Sequence, residues 1–327
     1  MKAIRISEFG DARVLEPAEV PEPRPGEGEV LIEVKAAGVN YADILMRQGS
    51  YSGGLSLPYV PGFEAAGVVR ETGRGVHDWK PGQRVMGTVL RKTLGCYAEK
   101  AVMPAWLLMP IPEQLSYEEG AAFPEVVITA YLALHVFGRL AQGESVLIHA
   151  AGGGVGTAAV QLAHAMGARV FATASSDEKL AKVKALGADV LINYQLRDFL
   201  EEVKKNTEGK GVDLVLEAVG GEVFEKSLKS LALLGRLVVY GTSSGKASTI
   251  GAQDLMRGML SVSSFGFGAL SVVRPELIRQ CTGAVMDFLS QGKVHPVVGR
   301  VFPLAEARAA HELISSRESF GKVVLVP

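Results

Sequence analysis

The chain has 327 residues, of which 48% are hydrophobic and 21% charged, and its formal net charge is −1. This length predicts about two globular domains, and a near-neutral chain without a basic, aromatic-interleaved stripe is not expected to bind nucleic acid. It has no run of about 18 apolar residues and no cleavable apolar start, so we expect no membrane span and a cytoplasmic location.

Residues 1–122 are predicted to form a domain of antiparallel β structure. Short apolar runs cover Val30–Val39, Glu64–Val69 and Gln83–Val89, and glycine or proline interrupts them about every ten residues. This spacing is typical of a partly open β-barrel.

Residues 123–266 are predicted to form a second domain, of the α/β class. A helical pattern over Ile128–Leu140 opens it, and strands then alternate with helices such as Lys179–Gly187 and Phe224–Gly235. The predicted strands are Val146–Ala150, Val170–Ala174, Val190–Asn193, Leu214–Ala218, Leu237–Gly241 and Leu260–Phe265. Such strands, joined by right-handed crossovers, predict a doubly wound, six-stranded parallel sheet of the Rossmann type.

A glycine cluster within Ser145–Ser176 predicts a dinucleotide site. An apolar strand precedes the cluster, and a helix and a second strand follow it, so the stretch is typical of a βαβ unit. The cluster fits the pattern G-x-G-x-x-G with alanine at the first position. The start of the helix would supply free N–H groups to a pyrophosphate. The residues predicted to contact the dinucleotide here are Ala151, Gly153, Gly154, Val155 and Gly156.

Residues 267–327 are predicted to return to the first domain. They carry a helical pattern over 275–292, a strand-like stretch over 298–303, a second helical pattern over 305–316 and a closing apolar strand. The closing sequence GKVVLVP can complete a sheet of the first domain, which would make the α/β domain an insertion.

The whole chain resembles the medium-chain dehydrogenase/reductase superfamily, and within it the zinc-independent quinone oxidoreductase family that includes zeta-crystallin. The segments that carry the resemblance are Ala36–Asp43, Leu57–Val69, Phe123–Leu134, His149–Gly156, Gly241–Gly245 and Phe320–Pro327. The resemblance implies a GroES-like catalytic domain, a Rossmann domain and a cofactor held in the cleft between them.

The residues at the zinc-ligand positions of related alcohol dehydrogenases do not suit zinc. Asn40 stands where those enzymes have a cysteine, Phe63 where they have a histidine, and Glu125 near their third ligand. A catalytic zinc needs about three protein ligands and a structural zinc usually four. This chain has only two cysteines, Cys96 and Cys281, which also fit a reducing compartment better than a disulfide framework. We therefore expect no metal.

Without a Lewis acid, the acceptor itself must be polarised. A quinone, or an alkene conjugated to a carbonyl, spreads the charge of an incoming hydride onto an oxygen several bonds away. The expected reaction is therefore NAD(P)H-dependent reduction of such acceptors.

The resemblance also implies polar residues near the nicotinamide. Asn40 and Tyr51 are the candidates from the first domain, and Thr129 is the candidate from the helix before the first Rossmann strand. Asp43 is expected to hold the loop geometry. Glu64 is expected to be a structural acid, bonded to backbone or to an arginine, and not a catalytic base.

The end of the second Rossmann strand predicts a preference for NADPH. An NAD-selective site places an acidic residue there, about 20 residues beyond the first glycine, to bind the ribose 2′-hydroxyl, but that position falls on Ala174. Ser175 and Ser176 can donate hydroxyls to a 2′-phosphate, and Lys179 adds a charge. By resemblance, Tyr194 lines the adenosine phosphate.

Gly241, in the GTSSG segment that carries part of the resemblance, completes the predicted cofactor residues. Asp177 and Glu178, at the start of the following helix, are expected to face solvent and the positive end of that helix.

Three functions remain open at this stage. The first is an NADPH-dependent quinone reductase, the second is a reductase of enones, enals or enoyl thioesters, and the third is an NADPH-binding protein with little turnover. We also expect a homodimer, because Leu260–Gly268 should form the last strand of the parallel sheet. An apolar edge strand exposes N–H and C=O groups that invite pairing with a second copy.

Overall fold

The computed structural model describes residues 1–51, 56–90 and 95–327. The described strands are β1 (Lys2–Arg5), β2 (Glu16–Glu19), β3 (Glu29–Val39), β4 (Glu64–Thr72), β5 (Arg84–Thr88), β6 (Lys100–Pro104), β7 (Leu108–Pro110), β8 (Ser145–Ile148), β9 (Arg169–Ala174), β10 (Val190–Asn193), β11 (Val212–Glu217), β12 (Leu231–Val239), β13 (Ser261–Ser264), β14 (Val298–Pro303) and β15 (Lys322–Val326).

The α-helices in these ranges are α1 (Tyr41–Arg47), α2 (Tyr117–Ala121), α3 (Pro124–Tyr131), α4 (Gly154–Ala165), α5 (Asp177–Ala185), α6 (Phe199–Asn206), α7 (Glu222–Lys229), α8 (Ala252–Gly258), α9 (Phe267–Val273), α10 (Pro275–Ser290) and α11 (Ala307–Ser315). Short 3-10 helices cover Ala12–Val14, Ala105–Leu107 and Leu304–Glu306, and a π-helical stretch covers Leu132–Phe137. No helix in the described ranges combines the length and the apolarity that crossing a bilayer requires.

The chain divides into two compact units. The first contains residues 1–126 and 296–327, and the second contains residues 127–295. The sequence predicts these boundaries at 122/123 and 266/267, so the predicted and observed divisions differ chiefly in residues 267–295. Within the second unit, the side-chain amide of Gln161 in α4 exchanges two hydrogen bonds with the backbone of His295, at 3.1 and 2.9 Å, which fixes the end of this segment to α4.

The first unit is built on a seven-stranded sheet. Its strands run in the order β14-β15-β3-β4-β5-β7, and β6 also pairs with β3. The pairing is antiparallel except between β14 and β15. β15 pairs with β3, Val324 opposite Gly38, so the end of the chain completes this sheet as predicted.

The second unit contains a six-stranded parallel sheet in the order β10-β9-β8-β11-β12-β13. This confirms the predicted doubly wound α/β class. Val146, Leu147 and Ile148 of the central strand β8 are fully buried, as expected for a parallel strand covered on both faces. Because all six strands are parallel, their carboxyl ends meet at one edge of the sheet.

Two predicted helices differ from the observed elements. The helix predicted over Phe224–Gly235 ends at Lys229, and Leu231 already belongs to β12, where it pairs with Val212 of β11. The apolar sequence LALLG is compatible with a helix or a strand. It forms a strand here because it pairs with β11. The helix predicted over Ile128–Leu140 begins earlier, at Pro124, and is π-helical from residue 132.

Candidate active site

The turn between β8 and α4 has the geometry of a dinucleotide-binding loop. The Ala151 N–H donates to the Thr173 carbonyl of β9 at 3.0 Å, which fixes the turn to the sheet. Gly153 is the N-cap of α4, and no side chain caps this helix. The first N–H groups of α4 are therefore not satisfied by a capping side chain, and they add to the positive potential of the helix start.

Gly156 allows α4 to approach the strand closely. A Cβ atom at this position would lie 2.3 Å from the Ala150 carbonyl oxygen and 2.6 Å from Ala151 Cα. Real Cβ contacts are essentially never this short, and the blocking atoms are backbone. The predicted glycine residues thus form a cradle that suits a pyrophosphate.

The residues predicted to bind the phosphate on the adenosine ribose follow the ends of β9 and β10. Ala174 is the last residue of β9, and its carbonyl accepts a hydrogen bond from the Tyr194 N–H at 3.2 Å. Ser176 is the N-cap of α5, where its hydroxyl accepts from the Lys179 N–H at 3.3 Å. Ser175 and Lys179 are half-buried, and the Tyr194 side chain is exposed.

The two acidic residues of this segment are held away from a ligand role. Asp177 accepts a hydrogen bond from Asn193 Nδ2 at 2.9 Å, and Glu178 pairs with Lys182 at 2.8 Å. Both acids are exposed and lie in the first turn of α5, where negative charge is stabilising. No acidic side chain occupies position 174, so the residues present fit a 2′-phosphate.

Gly241 follows β12 at the same edge of the sheet. A Cβ atom there would lie 3.3 Å from Ala218 Cβ, so this glycine permits the loops after β11 and β12 to approach each other.

Glu217, the last residue of β11, is buried and accepts hydrogen bonds from the N–H groups of Val219 and Gly220. Burial raises the pKa of the Glu217 carboxyl, and these bonds oppose the shift.

In the first unit, Asn40 belongs to a buried polar cluster. Lys322 Nζ lies 2.5 Å from Glu64 Oε1 and donates to Asn40 Oδ1 at 2.5 Å. Asn40 Nδ2 donates to the same Glu64 oxygen at 2.9 Å. The Lys322 and Glu64 side chains are only 3% and 0% exposed. A lysine therefore supplies the cationic partner of Glu64, for which the sequence suggested backbone or an arginine.

Glu64 also binds backbone, through its second oxygen. Oε2 accepts a hydrogen bond from the Glu125 N–H at 2.8 Å, at the start of α3. The structural part expected for Glu64 thus agrees with its contacts.

Asp43 links this cluster to a second buried group of polar residues. Its Oδ2 accepts from the Asn40 N–H at 2.8 Å and from the Tyr97 hydroxyl at 3.0 Å. The Tyr97 hydroxyl lies 3.1 Å from His311 Nε2. Burial raises the pKa of Asp43 to about 7 against the effect of these bonds and of Lys322. Burial lowers the pKa of His311 to about 3, so this histidine is neutral.

Glu125 is a third carboxyl beside the Glu64–Lys322 pair. It is the second residue of α3 and is half-buried. Burial raises the pKa of its carboxyl to about 8, and the negative charges of Glu64 and Asp43 add to the rise while Lys322 opposes it. Glu125 is therefore mostly protonated at neutral pH.

The remaining two catalytic candidates have contrasting surroundings. Tyr51 is half-buried, and its ring centroid lies 6.3 Å from that of Phe63, at a tilt of 54°. Residues 52–55 of the same segment lie outside the described residues. Thr129 is buried in α3, one helical turn after Glu125.

Two of the positions that hold zinc ligands in related dehydrogenases have residues here that do not bind zinc. Asn40 bonds to Lys322 and Glu64, and Phe63 forms an aromatic pair with Tyr51. Among residues 1–51, 56–90 and 95–327, no three His, Cys, Asp or Glu side chains form a set that could hold a metal ion.

Sequence reasoning missed Lys322, Tyr97 and His311, and assigned Glu125 no role of its own. Lys322 could have been found from the sequence, because it directly precedes the apolar run VVLV and a charged side chain at such a position requires a partner. The buried tyrosine and histidine carried no comparable signal.

Comparisons with known proteins agree with this geometry. The chain matches the family model Alcohol dehydrogenase GroES-like domain over residues 26–113 and the model Zinc-binding dehydrogenase over residues 154–287. Quinone oxidoreductase of Rattus norvegicus is 36% identical over 328 residues, which cover 100% of this chain and 98% of the rat protein.

Two solved structures are similar over the full length. Quinone oxidoreductase of Escherichia coli complexed with NADPH is 32% identical with a TM-score of 0.92, and the match covers 100% of both chains. An NAD-dependent alcohol dehydrogenase is 36% identical with a TM-score of 0.91, again over 100% of both chains.

Proposed function

Because the chain belongs to the quinone oxidoreductase family of the medium-chain dehydrogenases and reductases, we propose that it is an NADPH-dependent quinone reductase that works without a metal. The observation that carries the proposal is the buried cluster of Asn40, Glu64 and Lys322. At one position where a zinc enzyme has a ligand, this cluster has the amide of Asn40, and both ends of that amide are occupied by hydrogen bonds, to Glu64 and from Lys322.

NADPH supplies a hydride, and the protein supplies binding and orientation. The uncapped start of α4 and the close approach at Gly156 would hold the pyrophosphate. Ser175, Ser176 and Lys179 would hold the 2′-phosphate. Asn40, Tyr51 and Thr129 are the polar candidates for the nicotinamide and the acceptor.

An anaerobic substrate panel tests this function. The purified protein is mixed with NADPH and a quinone, an enal or an enoyl-CoA, and the loss of NADPH absorbance is followed. The proposal expects the highest kcat/KM with quinones. A higher kcat/KM with enals or enoyl-CoA would select the second function instead, and tight NADPH binding without oxidation by any acceptor would select the third.

The coenzyme preference has its own prediction. A charge-assisted bond to phosphate contributes on the order of 1.5–3 kcal/mol, or roughly tenfold to a hundredfold in affinity. Lys179→Ala should therefore lower kcat/KM with NADPH by about tenfold or more and leave kcat/KM with NADH unchanged. Steady-state kinetics with both coenzymes measure this.

Lys182→Ala is the matched control for Lys179→Ala. Lys182 lies on the same helix and pairs with Glu178 at the surface, so its loss should leave the coenzyme preference intact. Equal use of NADH and NADPH by the wild type would show that this site is assigned wrongly.

We also propose that the protein is a homodimer that pairs through β13. This strand is the last in the parallel sheet, with no neighbour on its outer side among the described residues. The helices before and after it along the chain carry exposed large apolar side chains, namely Met256 at 76% and Met259 at 54% in and after α8, and Val272 at 68% and Val273 at 69% in α9. An edge strand together with exposed apolar side chains favours an isologous contact with a second copy.

Sedimentation analysis tests the dimer. The wild type should sediment as two chains at micromolar concentration, and Met256→Glu/Val273→Glu should sediment as one chain. Leu196→Glu is the control, because Leu196 is 72% exposed but follows β10, the opposite edge strand. A single-chain mass for the wild type would refute the proposal.

A further inference from the structure

The buried cluster of the first unit holds more acid than base. Three carboxyls, those of Asp43, Glu64 and Glu125, interact electrostatically there with a single ammonium, that of Lys322. Glu64 is paired with Lys322 at 2.5 Å, and this pair cancels its own charge. A further ionised carboxyl would repel Glu64 in a weakly solvated site, so the cluster favours the protonated form of the two carboxyls that remain, those of Asp43 and Glu125.

Of these three residues, only Glu125 retains solvent-exposed surface. Asp43 and Glu64 are both 0% exposed. Both oxygens of Glu64 are bonded, to Lys322 and to the start of α3, whereas Asp43 is bonded through Oδ2 and its buried Oδ1 has no partner among the described residues. Glu125 is half-buried, and no hydrogen bond or ion pair of its carboxyl occurs among the described residues. A proton on Glu125 can therefore be transferred to a ligand, whereas a proton on Asp43 cannot.

The helix that carries Glu125 also carries Thr129. Residues four apart on a helix share one face, so the carboxyl of Glu125 lies on the same face of α3 as the hydroxyl assigned to the nicotinamide.

From this arrangement we propose that Glu125 is the proton donor to the reduced acceptor. The inference rests on the proposed function, because that function supplies the hydride. NADPH loses a hydride, and the acceptor gains two electrons and one hydrogen. The O–H bond of Glu125 then breaks as a new O–H bond forms on the acceptor oxygen. Water returns a proton to Glu125, so the sum is NADPH, one proton and a quinone giving NADP⁺ and a hydroquinone.

Glu125→Gln tests the assignment, because glutamine keeps the shape but cannot release a proton. General acid catalysis typically contributes about a hundredfold or more, so kcat/KM for the preferred acceptor should fall by about a hundredfold. Wild-type kcat/KM should decline above pH 8, where the acid ionises, and the variant should lack this decline. Glu125→Asp, which keeps the acid, should recover part of the rate and the decline.

The control is Glu118→Gln. Glu118 is also half-buried and is the second residue of α2, as Glu125 is of α3. This variant should keep the rate and the pH profile of the wild type. Unchanged kcat/KM in Glu125→Gln, or the same decline above pH 8, would overturn the inference.

A second readout does not depend on turnover. Infrared difference spectra of the ligand-free protein should show the carbonyl band of a protonated carboxylic acid that disappears with a midpoint near pH 8 and is absent from Glu125→Gln. An ionised Glu125 at pH 7 would overturn the inference. If none of the tested acceptors supported NADPH oxidation by the wild-type protein, the proposed function would be refuted, and with it the donor role, even if the infrared band is present.

Discussion

Replacing Lys322 with methionine should lower the free energy of unfolding by about 3–5 kcal/mol, since removing one partner of a buried ion pair leaves an uncompensated charge. Glu64 would keep its hydrogen bonds from Asn40 and from the Glu125 N–H but would lose its only ionic partner among the described residues. Urea unfolding followed by circular dichroism measures the change.

Lys226→Met is the matched control for this substitution. Lys226 pairs with Asp198 at the same distance, 2.5 Å, but the two side chains are 44% and 38% exposed. Surface pairs contribute about 0–1 kcal/mol, so this variant should be nearly as stable as the wild type. The double variant Lys322→Met/Glu64→Gln should recover part of the loss, because it removes the stranded charge. Equal losses in Lys322→Met and Lys226→Met would contradict the role given to burial.

Replacing Gly156 with alanine should weaken NADPH binding by at least tenfold. The added Cβ would lie 2.3 Å from the Ala150 carbonyl oxygen, so α4 or the turn before it must move. This movement would displace the N–H groups proposed to bind the pyrophosphate, and each bond to a charged group contributes about 1.5–3 kcal/mol. Titration of NADPH, followed by its fluorescence, measures the dissociation constant.

Gly283→Ala controls for the general effect of the substitution. Gly283 lies within α10 and a Cβ there would meet no atom within 4 Å. Alanine is favoured over glycine in a helix by about 0.8–1.0 kcal/mol, so this variant should be slightly more stable and bind NADPH normally. If Gly156→Ala bound NADPH like the wild type, the cradle would not hold the pyrophosphate.

The fold followed closely from local patterns where those patterns were unambiguous. The predicted strand Val190–Asn193 and the strand predicted over 298–303 coincide with β10 and β14. The segment Leu231–Gly235 was predicted as helix, because a short apolar run suits either a buried helix or a strand. Its pairing with β11 is a contact with another part of the chain, which local reasoning does not contain.

The candidate site likewise contains parts that local sequence predicts and contacts that it does not. The glycine turn and the serine-rich end of β9 were predicted because each is contained in one short segment with its own turn and capping chemistry. Asn40 was predicted by resemblance, but its partners were not, and its contact with Lys322 spans 282 positions.

The sequence by itself determined the order of strands and helices, the dinucleotide turn and the absence of cysteine and histidine from the expected zinc-ligand positions, because these depend on residue type and on spacing along the chain. Only the tertiary structure decided that Glu64, Asp43 and Glu125 interact electrostatically with one lysine and that burial raises the pKa of the Asp43 and Glu125 carboxyls. That outcome depends on burial and on distances between charges on α1, β4, α3 and β15, and these quantities arise only when separate segments pack together.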